Sequence, residues 1–364
     1  MKLPNNMTNF TERKKWIVEK LAQFGFELNQ AEITIREQKG GLFNQVYFVD
    51  AGYQSWFVKI YLDKNVSKVF QPPQISRQRR AKLAFEVQKL AFELCNRGSL
   101  FTNILPAKVC FDEADSILFV KGLTPGNDLI EFIAEGLPPS GYLSGVLQSL
   151  GYLHSYTFNL ERYISSSMYK NTVFRDYKLG LQYTNIAKEL NSAQREVIHR
   201  LVEDYKTQTY CVLHGDINSR NIIIPKHKNQ TGVIIDFEQS HIGNPVYDIA
   251  YILCEFLISG LNHVDNSVII DKQIQSAMLR YLEVFDIFLI ANFQRDLILH
   301  LLIQGRYRFL GPSKNSWTFY VKETRKTKIL ELLCDILIAP TEKITELFDY
   351  LIAGKLIQYL IRVC

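Results

Sequence analysis

The chain has 364 residues, 47% of them hydrophobic, and a formal net charge of +5, which is enough apolar material for a sizeable core and excludes a disordered chain. The charge is mild and the basic residues form no tail, so nucleic acid is not indicated as a partner. The six cysteines, Cys95, Cys110, Cys211, Cys254, Cys334 and Cys364, lack metal-ligand spacing, and no leader-like or spanning apolar run is seen, so reduced thiols in a cytoplasmic protein with no membrane partner are expected.

A helix is predicted from Thr11 to Phe24, where Trp16, Ile17, Leu21 and Phe24 recur at near-helical spacing behind candidate caps at Thr8 to Thr11. From Ile33 the pattern turns strand-like in EITIRE, QVYFVDAG and SWFVKIYL, punctuated by Gly40-Gly41 and Ala51-Gly52, which predicts an antiparallel sheet. Asp63 to Arg80, with Pro72-Pro73 and the basic group Arg77, Arg79, Arg80 and Lys82, reads as a connecting loop. It leads into a helix with Leu83, Val87, Leu90 and Leu94 on one side. ILPAKVCFD and SILFVK read as two more strands meeting at Asp112 to Asp115. Those four residues spell the helicase-like DEAD, but the chain has no G-x-x-x-x-G-K-[ST] loop, so an acidic hairpin turn is the better reading. Helices dominate from Leu129 to about Tyr205 and return after Tyr247; His154 falls on one of them as a core or boundary histidine.

The most informative segment runs from His214 to Glu238, HGDINSRNIII and then VIIDFE. Asp216 is followed after four residues by Asn221, and Asp236 comes after an apolar strand. Phosphoryl transfer uses such a set: one Asp accepts the hydroxyl proton, while an Asn and a second Asp hold magnesium. A capped turn between buried strands would also use Asp and Asn, but it leaves the spacing unexplained. With its continuation GNPVYDIAY, from Gly243 to Tyr251, the segment resembles the aminoglycoside phosphotransferase and choline kinase-like family, the small-molecule branch of the protein-kinase-like fold. The likeness rests on HGD, N, IDFE and G-x-P-x-x-D-[IL]-A in one order.

That resemblance implies an α+β, two-lobed protein-kinase-like fold. Residues 1–121 would form a small, mainly antiparallel β lobe that binds nucleotide, and residues 122–364 a larger helical lobe for catalysis and acceptor binding. It implies Asp216 as general base, Asn221 and Asp236 as magnesium ligands, and Lys59 as the nucleotide-holding lysine with Glu86 as its partner. Gly40 and Gly41 would cover the phosphates, and backbone groups near Phe119, Val120, Lys121 and Leu123 would hold the adenine. His214 reads as a brace of the loop, and Asp248 as a structural carboxylate suited to the N-terminus of its own helix.

The implied ligands are ATP, with GTP an open alternative, and Mg2+. Glu238 stands where protein kinases have the Gly of D-F-G, which favours the small-molecule branch, and no A-P-E element follows. Two positions depart from pattern: Arg220, commonly Gly, and Asn218, where protein kinases often place a basic group two residues after the base. Glu255 faces either the acceptor pocket or solvent. After His241 there are 13 Asp/Glu against 13 Lys/Arg, so no acidic excess favours a polycationic acceptor. The expected activity is phosphorylation of a hydroxyl on a small polar metabolite or antibiotic. The alternatives are a catalytically silent nucleotide-binding module and a protein kinase.

Overall fold

The computed structural model describes residues 10–25, 33–38, 44–52, 54–63, 73–97, 103–122, 126–226, 230–312 and 317–363. Strands β1 (Thr34–Gln38), β2 (Asn44–Asp50) and β3 (Ser55–Tyr61) form antiparallel neighbours. β4 is Ile104–Pro106, and β5 (Val109–Asp112) and β6 (Ile117–Lys121) complete a sheet of order β1-β2-β3-β6-β5. The two-residue period of β3 decides what this sheet does. Trp56, Val58 and Ile60 pack on Trp16, Ile17 and Leu21 of helix α1 (Phe10–Gln23), so Phe57, Lys59 and Tyr61 line the cleft between the lobes. The acidic turn anchors that helix, since Lys20 of α1 reaches Asp112 at 2.7 Å and Asp115 at 2.6 Å and so pins α1 to the sheet.

The predicted strand ILPAKVCFD divides between two sheets. The Ala107 N–H donates to Ile234 O at 2.8 Å, whereas Lys108 O accepts from Lys121 N–H at 2.8 Å. β4 therefore joins a second sheet, of order β4-β10-β9-β7, with β7 (Gly126–Asp128), β9 (Ile222–Pro225) and β10 (Gly232–Ile234). Helix α2 (Arg77–Arg97) starts inside the stretch read as a loop. Its Leu83, Val87 and Ala91 join the core of the helical lobe, so residues before 121 help to build both lobes.

The second lobe contains α3 (Leu129–Ala134), α4 (Tyr142–Thr157), the short α5 (Glu161–Ile164) and α6 (Ser167–Lys170), and α7 (Thr172–Leu179), which runs into a π-helical turn at Gly180–Thr184. After α8 (Asn185–Ala187) comes α9 (Ser192–Thr207), started by a capping box between Asn191 and Gln194. A ribbon of β8 (Cys211–Leu213) and β11 (His241–Gly243) brackets the HGD segment. α10 (Val246–Asn262) is mostly apolar, is buried over its whole length, and packs between α11 (Ser267–Leu282) and α12 (Phe293–Leu310). Among the described residues no helix is long and apolar enough to cross a membrane.

Candidate active site

The HGD segment leaves β8 in a turn that only glycine fits. Gly215 has φ +78°, and a Cβ there would collide with the carbonyl oxygen of Gln239. The turn is clamped from behind by Asp248: its Oδ1 accepts the Gly215 N–H at 2.9 Å, and its Oδ2 accepts the His214 N–H at 2.7 Å. His154 completes that carboxylate at 3.2 Å while Tyr281 OH meets its other ring nitrogen at 3.0 Å. Burial opposes ionisation of Asp248, but the hydrogen bond and charge of His154, with the backbone donors, hold its carboxyl below the usual range. Asp248 does sit in the first turn of α10, yet its oxygens serve the HGD loop and not its own helix.

His214 braces the loop as expected. Its Nδ1 accepts the Asp216 N–H at 3.2 Å, so Nε2 carries the proton and donates to Ile235 O at 3.1 Å. Burial pushes this imidazole below its usual range, which keeps it neutral and suits it to scaffolding. Asp216 is held through both oxygens. Its Oδ1 accepts from Lys178 Nζ at 2.8 Å and Tyr251 OH at 3.0 Å; its Oδ2 accepts from Gln239 Nε2 at 3.0 Å and, longer, from Asn221 Nδ2 at 3.4 Å. Asn221 also donates to Asp216 O at 2.9 Å, which turns its amide oxygen away from the Asp216 carboxylate.

Across the cleft, Lys59 Nζ lies 2.7 Å from Asp236 Oδ1 and 3.2 Å from Glu238 Oε2. Burial works against the Lys59 charge, but the two carboxylates win and raise its pKa. Burial likewise opposes ionisation of Asp236, and the ammonium of Lys59 overcomes it, leaving that carboxyl below its ordinary value. Glu238 is shifted the other way: burial pushes it up, and its share of Lys59 does not compensate. Asp236 adopts φ 70°, a left-handed conformation uncommon for a residue with a Cβ and characteristic of functional sites. An amide oxygen from Asn221 and a carboxylate from Asp236 suit magnesium, which takes one or two carboxylates and completes its shell with phosphate and water.

The structure thus brings Asp216 to Asn221 and Lys59 to Asp236, and it replaces one expected partner. Glu86 is not at Lys59; it lies beside Tyr169, whose hydroxyl it pushes up in pKa after burial, the larger cause. Glu238 takes its place, because the IDFE segment crosses directly beneath β3, whereas α2 presents Ala84 and Gln88 to the cleft. Glu238 is itself held by Asn44 Nδ2 at 2.6 Å, and Asn44 Oδ1 accepts from Arg80 at 3.0 Å. Val120 lines the cleft, but Phe119 points into the α1 core, as strand alternation requires. The Lys121 side chain is exposed, and the Lys121 and Gly122 N–H groups are spent on Lys108 O and Ser55 O, both at 2.8 Å. Gly40, Gly41 and Leu123 lie outside the described residues.

Glu255 faces neither pocket nor solvent. Its Oε2 accepts the Ser219 N–H at 3.1 Å and its Oε1 pairs with the buried Arg308 at 2.6 Å. Arg220 places its guanidinium over Trp317, 5.0 Å from the ring centroid, and lines the cleft near Asp128. Lys178, Tyr251 and Gln239 were missed by sequence reasoning. Lys178 had one signal: it follows Phe174 by four residues on the buried face of α7, a position where an apolar residue is the rule.

Comparison with known proteins agrees with this geometry. Residues 148–266, about a third of the chain, match the model of the phosphotransferase enzyme family (APH). An ethanolamine kinase of Plasmodium vivax is 16% identical, with 93% of this chain and 91% of that one covered at a TM-score of 0.50, which shows a shared protein-kinase-like fold. Among curated proteins, acyl-CoA dehydrogenase family member 11 of Homo sapiens is 24% identical over 260 residues, 68% of this chain and 31% of that protein. Its Rattus norvegicus counterpart is 22% identical over 264 residues, 69% and 31% respectively. The chain therefore spans under a third of the length of these curated relatives.

Proposed function

We propose that this chain, which has a protein-kinase-like fold and an Asp216 carboxylate held in a fixed pose, is a magnesium-dependent kinase that moves the terminal phosphoryl group of ATP to a hydroxyl on a small polar molecule. The observation that carries this reading is the state of Asp216: Lys178 and Tyr251 occupy Oδ1, while Oδ2 keeps only the Gln239 amide and a long contact to Asn221. An acceptor hydroxyl that displaces Gln239 meets Oδ2, and its proton passes to that oxygen. The acceptor oxygen then bonds to the terminal phosphorus as the bridging P–O bond breaks, and ADP leaves. Lys59 holds the nucleotide phosphates from the β lobe, with Glu238 fixing its ammonium. Magnesium held by Asn221 and Asp236 would supply charge neutralisation on the phosphates.

The test is ADP release from Mg·ATP with a panel of amino alcohols, sugars and nucleosides, each with and without acceptor. At least one acceptor should raise ADP release in the parent, and Asp216→Asn should lower that rate by about 10²–10⁴-fold. Equal turnover by Asp216→Asn would remove the base assignment. Silence of the parent across the panel would leave a nucleotide-binding module.

A further inference from the structure

The neutral Asn218, two residues after the base, donates its side-chain amide to Asp216 O at 3.0 Å, so the loop carries no ammonium at that position. The fold supplies one from elsewhere. Lys178, on α7 and 38 residues earlier in the chain, places Nζ 2.8 Å from Asp216 Oδ1 and 2.6 Å from Gly215 O. The ammonium is 4.6 Å from the centroid of the Tyr251 ring. Its side chain is only 5% exposed.

We propose that Lys178 is a second phosphate-binding cation of this site, turning one N–H onto the terminal phosphoryl oxygens when nucleotide is bound. The proposal rests on the kinase reading above. The base must meet the acceptor oxygen next to the transferring phosphorus, so an ammonium on that carboxylate is one contact away from the phosphoryl oxygens. The other ammonium of the site, Lys59, is shared between Asp236 and Glu238 on the far side of the cleft.

A bracing role alone does not account for Lys178. Tyr251 already holds Oδ1 with a neutral donor at 3.0 Å, and burying an ammonium carries a desolvation penalty that such a donor avoids. A cation there would add to the magnesium in phosphoryl transfer, because charge spreads over the equatorial oxygens in the transition state. The segment is also anchored to hold that position. The π-helical turn after α7 sends Gln182 to Tyr251 OH at 3.2 Å, and Gln182 accepts from Tyr247 OH at 2.7 Å and Gln304 at 3.0 Å. A π turn of this kind is frequent at functional sites.

The experiment is calorimetric titration of the full chain with Mg·ADP and with Mg·AMP-PNP, which differ in the terminal phosphoryl group. In Lys178→Met the preference for Mg·AMP-PNP over Mg·ADP should fall by about tenfold or more, the effect of losing one charge-assisted contact. Mg·ADP affinity should stay near the parent value, which also reports an intact fold, and Lys178→Arg should recover most of the preference. A preference unchanged in Lys178→Met overturns this role and leaves the kinase reading standing. Failure of the parent to bind either nucleotide overturns both.

Discussion

Asp128 shows how burial and charge compete at a single residue. It ends β7 at the mouth of the cleft, and burial pushes its carboxyl up to about 6; Arg220 pulls the value down and Glu131 pushes it up. The ordinary value is 3.8, so the folded state binds the proton more tightly than the unfolded state. Stability associated with this group is therefore greatest below about 4 and is lost as pH rises through about 6. Asp128→Asn removes the buried charge. It should raise the unfolding temperature at pH 7.5, with a gain that shrinks at pH 5 and vanishes near pH 4; thermal unfolding at the three pH values checks this. A gain independent of pH would mean that ionisation of Asp128 is not what burial penalises.

At the scale of elements, α10 is the backbone of the site. Asp248, Tyr251 and Glu255 follow the i, i+3, i+7 spacing that places them on one face of the helix, a polar stripe on a helix whose every residue is buried. The three side chains meet the HGD loop at successive points: Asp248 at His214 and Gly215, Tyr251 at Asp216, and Glu255 at Ser219. The loop thus takes its shape from the helix behind it. Asp248→Asn would set an amide N–H₂ against a backbone donor and leave that donor buried without an acceptor. It should lower stability by roughly 3 kcal/mol or more, read as a shift in the urea midpoint, and coincident midpoints would mean the clamp carries no stability.

For the molecule as a whole, the lobes are joined at the cleft by side chains from both. Lys59 and Asn44 of the β lobe meet Asp236 and Glu238 of the helical lobe, and Arg80 supports Asn44. A nucleotide that binds between them stabilises the folded chain by mass action, by about 2.7 kcal/mol at a hundred times its dissociation constant. Mg·ATP should therefore raise the unfolding temperature of the parent by a few degrees. Glu86→Gln should keep that rise, since Glu86 does not touch Lys59, while Glu238→Gln should lose most of it. The opposite ranking in a thermal shift assay would return the lysine's partner to α2.

Lys59, Asp216, Asn221 and Asp236 could be singled out in the sequence because the motifs that carry them lie within one strand or one short loop, and the packed chain brings Asp216 to Asn221 and Lys59 to Asp236. The helical period of α1 and the strand runs of β2 and β3 were legible for the same reason: local backbone geometry sets them. Glu238 in place of Glu86 was not legible, nor was the attachment of Glu255 and Asp248 to the loop, nor the split of ILPAKVCFD between two sheets. Lys178 was the least legible, since nothing between residues 178 and 216 marks the pair. Such pairings depend on which buried charge finds which partner once distant elements pack. Burial makes an unpaired charge costly without saying where its partner lies, and only the packed lobes decide that.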